Sequence, residues 1–370
     1  MAGSCREKDF KFFATISKLC CYIDMFPTRL VVAFFASLLL VPLASAQDTA
    51  PKFTVGDAHI IPVLGKKTYY VNDSVFPFLP DANGTGRLAF LGDAIVMRYT
   101  GPDIDHLTPP DADQEVKVTP ADGVNPDWHR NGTWMLTATR TADGTLVGFV
   151  HGEDHVFADG KKGGEWNSTG VWTSTDDGLT WVDHGEAVGS KKPEIHQIAG
   201  MAMNECIWDA ANKRWIGYNG PYAFSSSDPH ALPGTWSGYH NGSFSVPIDV
   251  TAPMPPLTPA PGLEKSGVNW GGLSYNSYLK QFVRTWCYGR TVKIAFSPDG
   301  VTWNHVSTLY EEKDPAAAKA DFSYAFLIGD TNSSSGQDCT LVYMYYPGPN
   351  TKTVSGHVKD MIRRPVHFEL

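Results

Sequence analysis

The sequence predicts an all-β chain built from repeated four-stranded antiparallel units, and three observations predict it. Short runs rich in β-branched and aromatic residues recur between turns containing Gly, Asn and Asp. No stretch carries a helical 3.6-residue periodicity. Residues 134–181 hold one complete unit, and variants of its closing turn recur downstream.

In that unit, Trp134-Met-Leu-Thr-Ala-Thr-Arg-Thr reads as a strand, Ala142-Asp-Gly144 as a turn, and Leu146-Val-Gly-Phe-Val-His-Gly-Glu-Asp-His155 as the returning strand. A polar, Gly-rich loop leads to a third strand at Thr169-Gly-Val-Trp-Thr. Ser174-Thr-Asp-Asp-Gly-Leu-Thr-Trp181 follows, and a fourth strand starts at Trp181. Four short strands in about fifty residues is the size of one β-propeller blade. Segment 174–181 resembles the Asp-box, Ser-x-Asp-x-Gly-x-Thr-Trp, which joins third and fourth strands in sialidases and related propellers. Its role there is architectural: Asp176 can accept backbone N–H groups, Gly178 relaxes the turn, and Trp181 anchors it in the core.

The other units follow in order. Blade one spans about 68–99, with strands at Tyr69-Tyr-Val-Asn-Asp-Ser-Val-Phe-Pro-Phe and across residues 87–99. Blade three begins near Ala199, turns at Ala210-Ala-Asn and carries a degenerate Asp-box over 225–236. The Pro-rich stretch 251–262 is a surface excursion. Blade four runs from Gly267 to Ser297-Pro-Asp-Gly-Val-Thr-Trp303, an Asp-box one residue short. Blade five runs from Ala320 to the terminal strand over 364–370. Five repeats in about 320 residues predict a five-bladed β-propeller of four-stranded antiparallel blades.

The 370 residues are 42% hydrophobic and 19% charged, which suits a substantial core. The net charge of −9 argues against nucleic acid or an anionic membrane as the main partner. Residues 1–46 read as a leader. Arg29, the apolar run from Leu30 and Ala44-Ser-Ala46 are the parts of a signal peptide, with Met25 as the true start and Gln47 as the first mature residue. A type II anchor is the alternative. Residues 47–370 then form one catalytic domain. The sequons at Asn72, Asn83, Asn131, Asn167, Asn241 and Asn332 predict a secreted, extracellular glycoprotein, monomeric and free of the membrane after cleavage. Cys206, Cys287 and Cys339 allow at most one disulfide.

In a propeller, first-strand starts and second-strand ends open at the same end of the ring. First-strand starts supply Asp73, Glu205, Asn269, Trp270 and Asp321; second-strand ends supply Asp93, Arg98, His151, Glu153 and His155. Burying lone charges is costly, so their recurrence at one end reads as a site. Alternation places His151, Glu153 and His155 on one face of their strand.

These positions are similar to those of the five-bladed propeller glycosidases: arabinanases, xylosidases, fructosidases and the endo-D-arabinanase-like group. Asp73 fits the blade-one carboxylate, Glu205-Cys206 looks like the Glu-Cys pair of fructosidases, and Leu91-Gly-Asp93 resembles a Phe-Gly-Asp stretch of the last group. The chain lacks Trp-x-Asn-Asp-Pro-Asn-Gly and Arg-Asp-Pro. The resemblance implies hydrolysis of a glycan, with one carboxylic acid protonating the leaving oxygen and one carboxylate as base or nucleophile. Asp73 is expected as base or nucleophile, Glu205 as acid, and Glu153 or Asp93 as the charge that raises the acid's pKa. Arg98, His151, His155, Asn269, Trp270 and Asp321 are expected to hold substrate. No cofactor is expected, although His151, Glu153 and His155 offer a divalent cation suitable ligand types. A polysaccharide lyase using His and Arg on a uronic acid, or a glycan-binding propeller without turnover, are the competing readings.

Overall fold

The computed structural model describes residues 50–62, 72–108, 115–156, 160, 162–192, 198–348 and 359–370. The expected leader, the start at Gln47 and the opening of blade one at 68–71 lie outside the described residues. Within them the chain is all-β, apart from two 3-10 turns at Pro126–His129 and Pro315–Ala317. None of its helices is long and apolar enough to cross a membrane.

Two short strands, β1 (Lys52–Val55) and β2 (His59–Ile60), come first. Unit one is the antiparallel sheet β3 (Phe78–Pro80), β4 (Arg87–Leu91) and β5 (Met97–Gly101). The expected single strand over 87–99 is therefore two strands. Gly92 forces the break: a Cβ there would lie 2.0 Å from the Ile95 carbonyl oxygen. Ala94 follows at φ 61°.

Unit two comprises β6 (Lys117–Pro120), β7 (Gly132–Arg140), β8 (Leu146–Val156), β9 (Lys162–Ser174), β10 (Thr180–Val188) and β11 (Ile198–Met201). β11 was expected to open unit three. It instead lies parallel to β9, with Gly200 opposite Asn167, because β9 extends well beyond the predicted Thr169–Thr173 core. Unit three holds β12 (Glu205–Asp209), β13 (Arg214–Asn219), β14 (Tyr222–Ser226), β15 (Trp236–His240) and β16 (Ser243–Pro247). Unit four is β17 (Gly271–Asn276), β18 (Gln281–Tyr288), β19 (Thr291–Ser297) and β20 (Asn304–Glu311). Unit five has β21 (Asp321–Ile328), β23 (Asp338–Tyr346) and β24 (Asp360–Glu369), while β22 (Ser334–Ser335) pairs parallel with β17, and a β17–β21 bridge joins units four and five into one sheet. β1 pairs antiparallel with β24, Lys52 opposite Glu369, so the two ends of the described chain finish one sheet.

Five apolar clusters hold these units together, and each lies mainly between two consecutive ones. Phe90 and Val96 meet Trp172 and Trp181. Phe149 and Val171 meet Trp215 and Trp236. Ile216 and Tyr218 meet Trp286 and Trp303. Val283 and Ile294 meet Leu341 and Phe368. Phe76 and Tyr99 meet Phe326 and Met344, which brings unit five back to unit one. A buried Trp removes roughly 200 Å² from water, at about 25 cal/mol per Å² about 5 kcal/mol each.

The turn over 174–181 behaves as its sequence implies. Asp176 Oδ1 accepts the Thr180 amide at 2.9 Å, and Trp181 Nε1 donates to the Gly178 carbonyl at 3.1 Å. Asp299 repeats this on Thr302 at 2.7 Å. In unit three Asp228 accepts from His230 at 2.9 Å, and Ala231, at φ 58°, stands where Gly would serve. The three cysteines of the described residues are free thiols.

Candidate active site

The site is built on the two loops that flank β3 and β4. Asn72 is buried, and its side-chain oxygen accepts the Gly92 amide at 3.0 Å while its Nδ2 donates to the Ser74 carbonyl. The Asp73 amide returns a bond to the Gly92 carbonyl at 3.3 Å. Asp73 and Asp93 are thereby fixed beside each other. Burial and then the Asp73 charge push the Asp93 carboxyl above the usual aspartate range, and Glu153 adds to that rise. Lys359 and the Trp134 indole act in the opposite direction.

Asp73 has different company. Lys359 forms an ion pair with it, and Tyr346 donates its hydroxyl to Oδ1 at 3.1 Å. Burial and the Asp73 charge raise Tyr346 and Tyr324, which keeps both phenols protonated as donors.

β8 brings the third carboxylate. Glu153 Oε1 faces His151 Nε2 at 3.4 Å and Oε2 faces His155 Nε2 at 3.1 Å, so the three alternating residues do share one face. Burial alone would raise Glu153, but the two histidines hold it below its ordinary value. Aromatic rings wall this region: Trp134 lies 5.5 Å from His151, His151 5.0 Å from Trp270, and Trp270 6.1 Å from Tyr324. One ligand atom each of His151, Glu153 and Glu165 lie within 4.8 Å of one another, so those three could hold a cation. The sequence had pointed to His155 where the geometry offers Glu165.

Four expected residues fall elsewhere or at the margin. Glu205 sits at the start of β12 in an ion pair with Arg284, which is itself fully buried and stacked 4.1 Å over the Tyr218 ring. Burial raises the Glu205 carboxyl to about 7 against the pull of Arg284, and among the described residues no other carboxylate acts on it. Arg98 points to the 174–181 turn instead, donating Nε to the Asp177 carbonyl at 2.8 Å. It lies beyond the 92–96 turn that the sequence reading had merged into one strand. Asp321 is exposed and accepts the Phe322 amide at 3.0 Å. Asn269 is exposed one residue before Trp270.

Asn72, Trp134, Glu165, Tyr324, Tyr346 and Lys359 were missed. Trp134 starts a first strand and Tyr346 ends a second one, so the same strand-end rule would have selected both.

The sequence matches no family model and no curated protein. Solved structures with a partial likeness include a glycosyl hydrolase from Bacteroides ovatus, at 11% identity and TM-score 0.47 over 85% of this chain and 94% of that one. A family 117 glycoside hydrolase from Zobellia galactanivorans gives 11% and 0.49 over 86% and 90%. An N-acetylgalactosamine deacetylase from F. plautii gives 14% and 0.47 over 86% and 96%. Likeness at this level leaves the chemistry to the residues themselves.

Proposed function

We propose that the chain is a secreted glycoside hydrolase whose five strand units are the blades of a five-bladed β-propeller. The blade reading rests on the five apolar clusters, each lying mainly between neighbouring units, with the last returning to the first.

The observation that carries the hydrolase reading is the unlike pair Asp73 and Asp93. Two neighbouring carboxyls, one raised by burial and the other held by a cation and a phenol, are what glycosidic cleavage needs. Asp93, raised by burial and by its neighbour, is the proton donor to the leaving oxygen. Asp73, paired with Lys359 and Tyr346, is the charged base or nucleophile. This moves the acid from Glu205 to Asp93, since Glu205 is committed to Arg284. Glu153 with His151 and His155 orients hydroxyls and adds negative charge, while Trp270 and Trp134 supply ring faces. The lyase alternative loses its carboxylate partner, because Arg98 is engaged by the Asp177 carbonyl.

The test is reducing-end release by the secreted protein from a panel of polysaccharides, with and without EDTA. Release from one polymer, abolished in Asp93→Asn and retained in EDTA, is expected. Release that survives both Asp93→Asn and Asp73→Asn would refute the assignment.

A further inference from the structure

The Pro-rich stretch between units three and four does more than connect them. Both its ends are pinned: the Lys191 amide bonds the Ala252 carbonyl at 2.7 Å, and the Thr258 and Ala260 amides bond Tyr239 and Pro221 at 3.1 and 2.8 Å. Leu257 packs against the apolar cluster between units two and three. Between these anchors, Met254, Pro255 and Leu257 face Met201, Asn219 and Tyr222 across a cavity of about 340 Å³.

Its lining is unusual for a surface. Tyr222 is 38% exposed and Met254 57%, so a ring and a thioether chain stand open to water on a wall that hydrogen bonds hold in place. Asn219 adds an amide that no hydrogen bond engages among the described residues. A planar ring beside a free amide suits a sugar, whose C–H face can rest on the ring while a hydroxyl meets the amide.

The cavity also has a fixed relation to the acidic cluster. Glu153 stands opposite Asn167 on β9, and Asn167 opposite Gly200 on β11, which lines the cavity, so the three form one row across adjacent strands. Strand spacing puts the Gly200 backbone about 10 Å from that of Glu153. A short oligosaccharide spans this distance, and a single sugar does not.

We infer that this cavity is a distal sugar subsite of the same cleft, with Tyr222 as its platform, and that it selects saccharide chains over single glycosides. The inference rests on the glycan reading above and extends it to substrate length. The expanded contact raises affinity for a chain without taking part in bond cleavage.

The probes are 4-nitrophenyl monoglycosides and the hexasaccharides of arabinan, xylan, mannan and levan, with wild type, Tyr222→Ala and Met254→Ala. Both positions are exposed, and thermal melts check that the variants stay folded. For the sugar that wild type cleaves, Tyr222→Ala should lower kcat/KM on the hexasaccharide about tenfold, chiefly through KM, and leave the monoglycoside rate unchanged. Equal effects on both lengths, or none on either, would overturn the subsite. If wild type cleaves nothing, saturation-transfer NMR with the same hexasaccharides separates the two ideas. Binding that Tyr222→Ala removes would support the subsite and sink the hydrolase; absence of binding would overturn both.

Discussion

Asn72 takes the Gly92 amide on its side-chain oxygen at 3.0 Å, and this contact, with the Asp73 amide on the Gly92 carbonyl at 3.3 Å, sets where two acidic loops meet. The bond is buried, so deleting it leaves the Gly92 N–H without a partner, at a cost of about 1–3 kcal/mol. Asn72→Ala should therefore lower both thermal stability and kcat, with KM less affected. A variant with full kcat would show that the loops hold Asp73 and Asp93 together without it.

The same residue bears on modification. Asn72 and Asn332 are sequon asparagines whose amides are buried and bonded within the fold, at 2% and 7% exposure. Asn83 and Asn241 are exposed. Peptide mass mapping of the protein exported from a eukaryotic expression host should find glycan at Asn83 or Asn241 and none at Asn72 or Asn332.

Glu205 and Arg284 test a structural role against a catalytic one. Glu205→Gln leaves a fully buried guanidinium without its counter-charge, which costs about 3–5 kcal/mol. The expected result is a large fall in melting temperature, with any folded fraction retaining turnover. A variant of normal stability and no turnover would return Glu205 to the acid's role.

Lys359 gives a signed pH prediction. Its charge lowers Asp93, so Lys359→Met removes a cation that favours the Asp93 carboxylate. The bell-shaped kcat/KM profile of the variant should move to higher pH on its alkaline limb, where Asp93 must stay protonated. A shift to lower pH, or none, would remove Asp93 from the acid's role.

Much of this was legible in the chain. The spacing over 174–181 marked a strand-joining turn, because Asp176, Gly178 and Trp181 each answer a local demand that any fold containing the turn would impose. His151, Glu153 and His155 were legible through strand alternation alone. Lys359 was not, since it reaches Asp73 from a position 286 residues away along the chain. Arg98 misled because a turn at Gly92 interrupts what composition presents as one strand, which reverses where later side chains point. Glu205 misled for a different reason. A buried carboxylate at a strand start looks the same in sequence whether its partner is a substrate or an arginine of the next unit.

The most direct test needs no substrate. Carboxyl carbons of Asp93 can be followed by NMR across a pH titration in the wild type and in Asp73→Asn. The account predicts that Asp93 titrates above the ordinary aspartate range and falls toward it once the neighbouring charge is removed. An Asp93 that titrates at its ordinary value in both proteins would contradict the pairing on which the proposed chemistry stands.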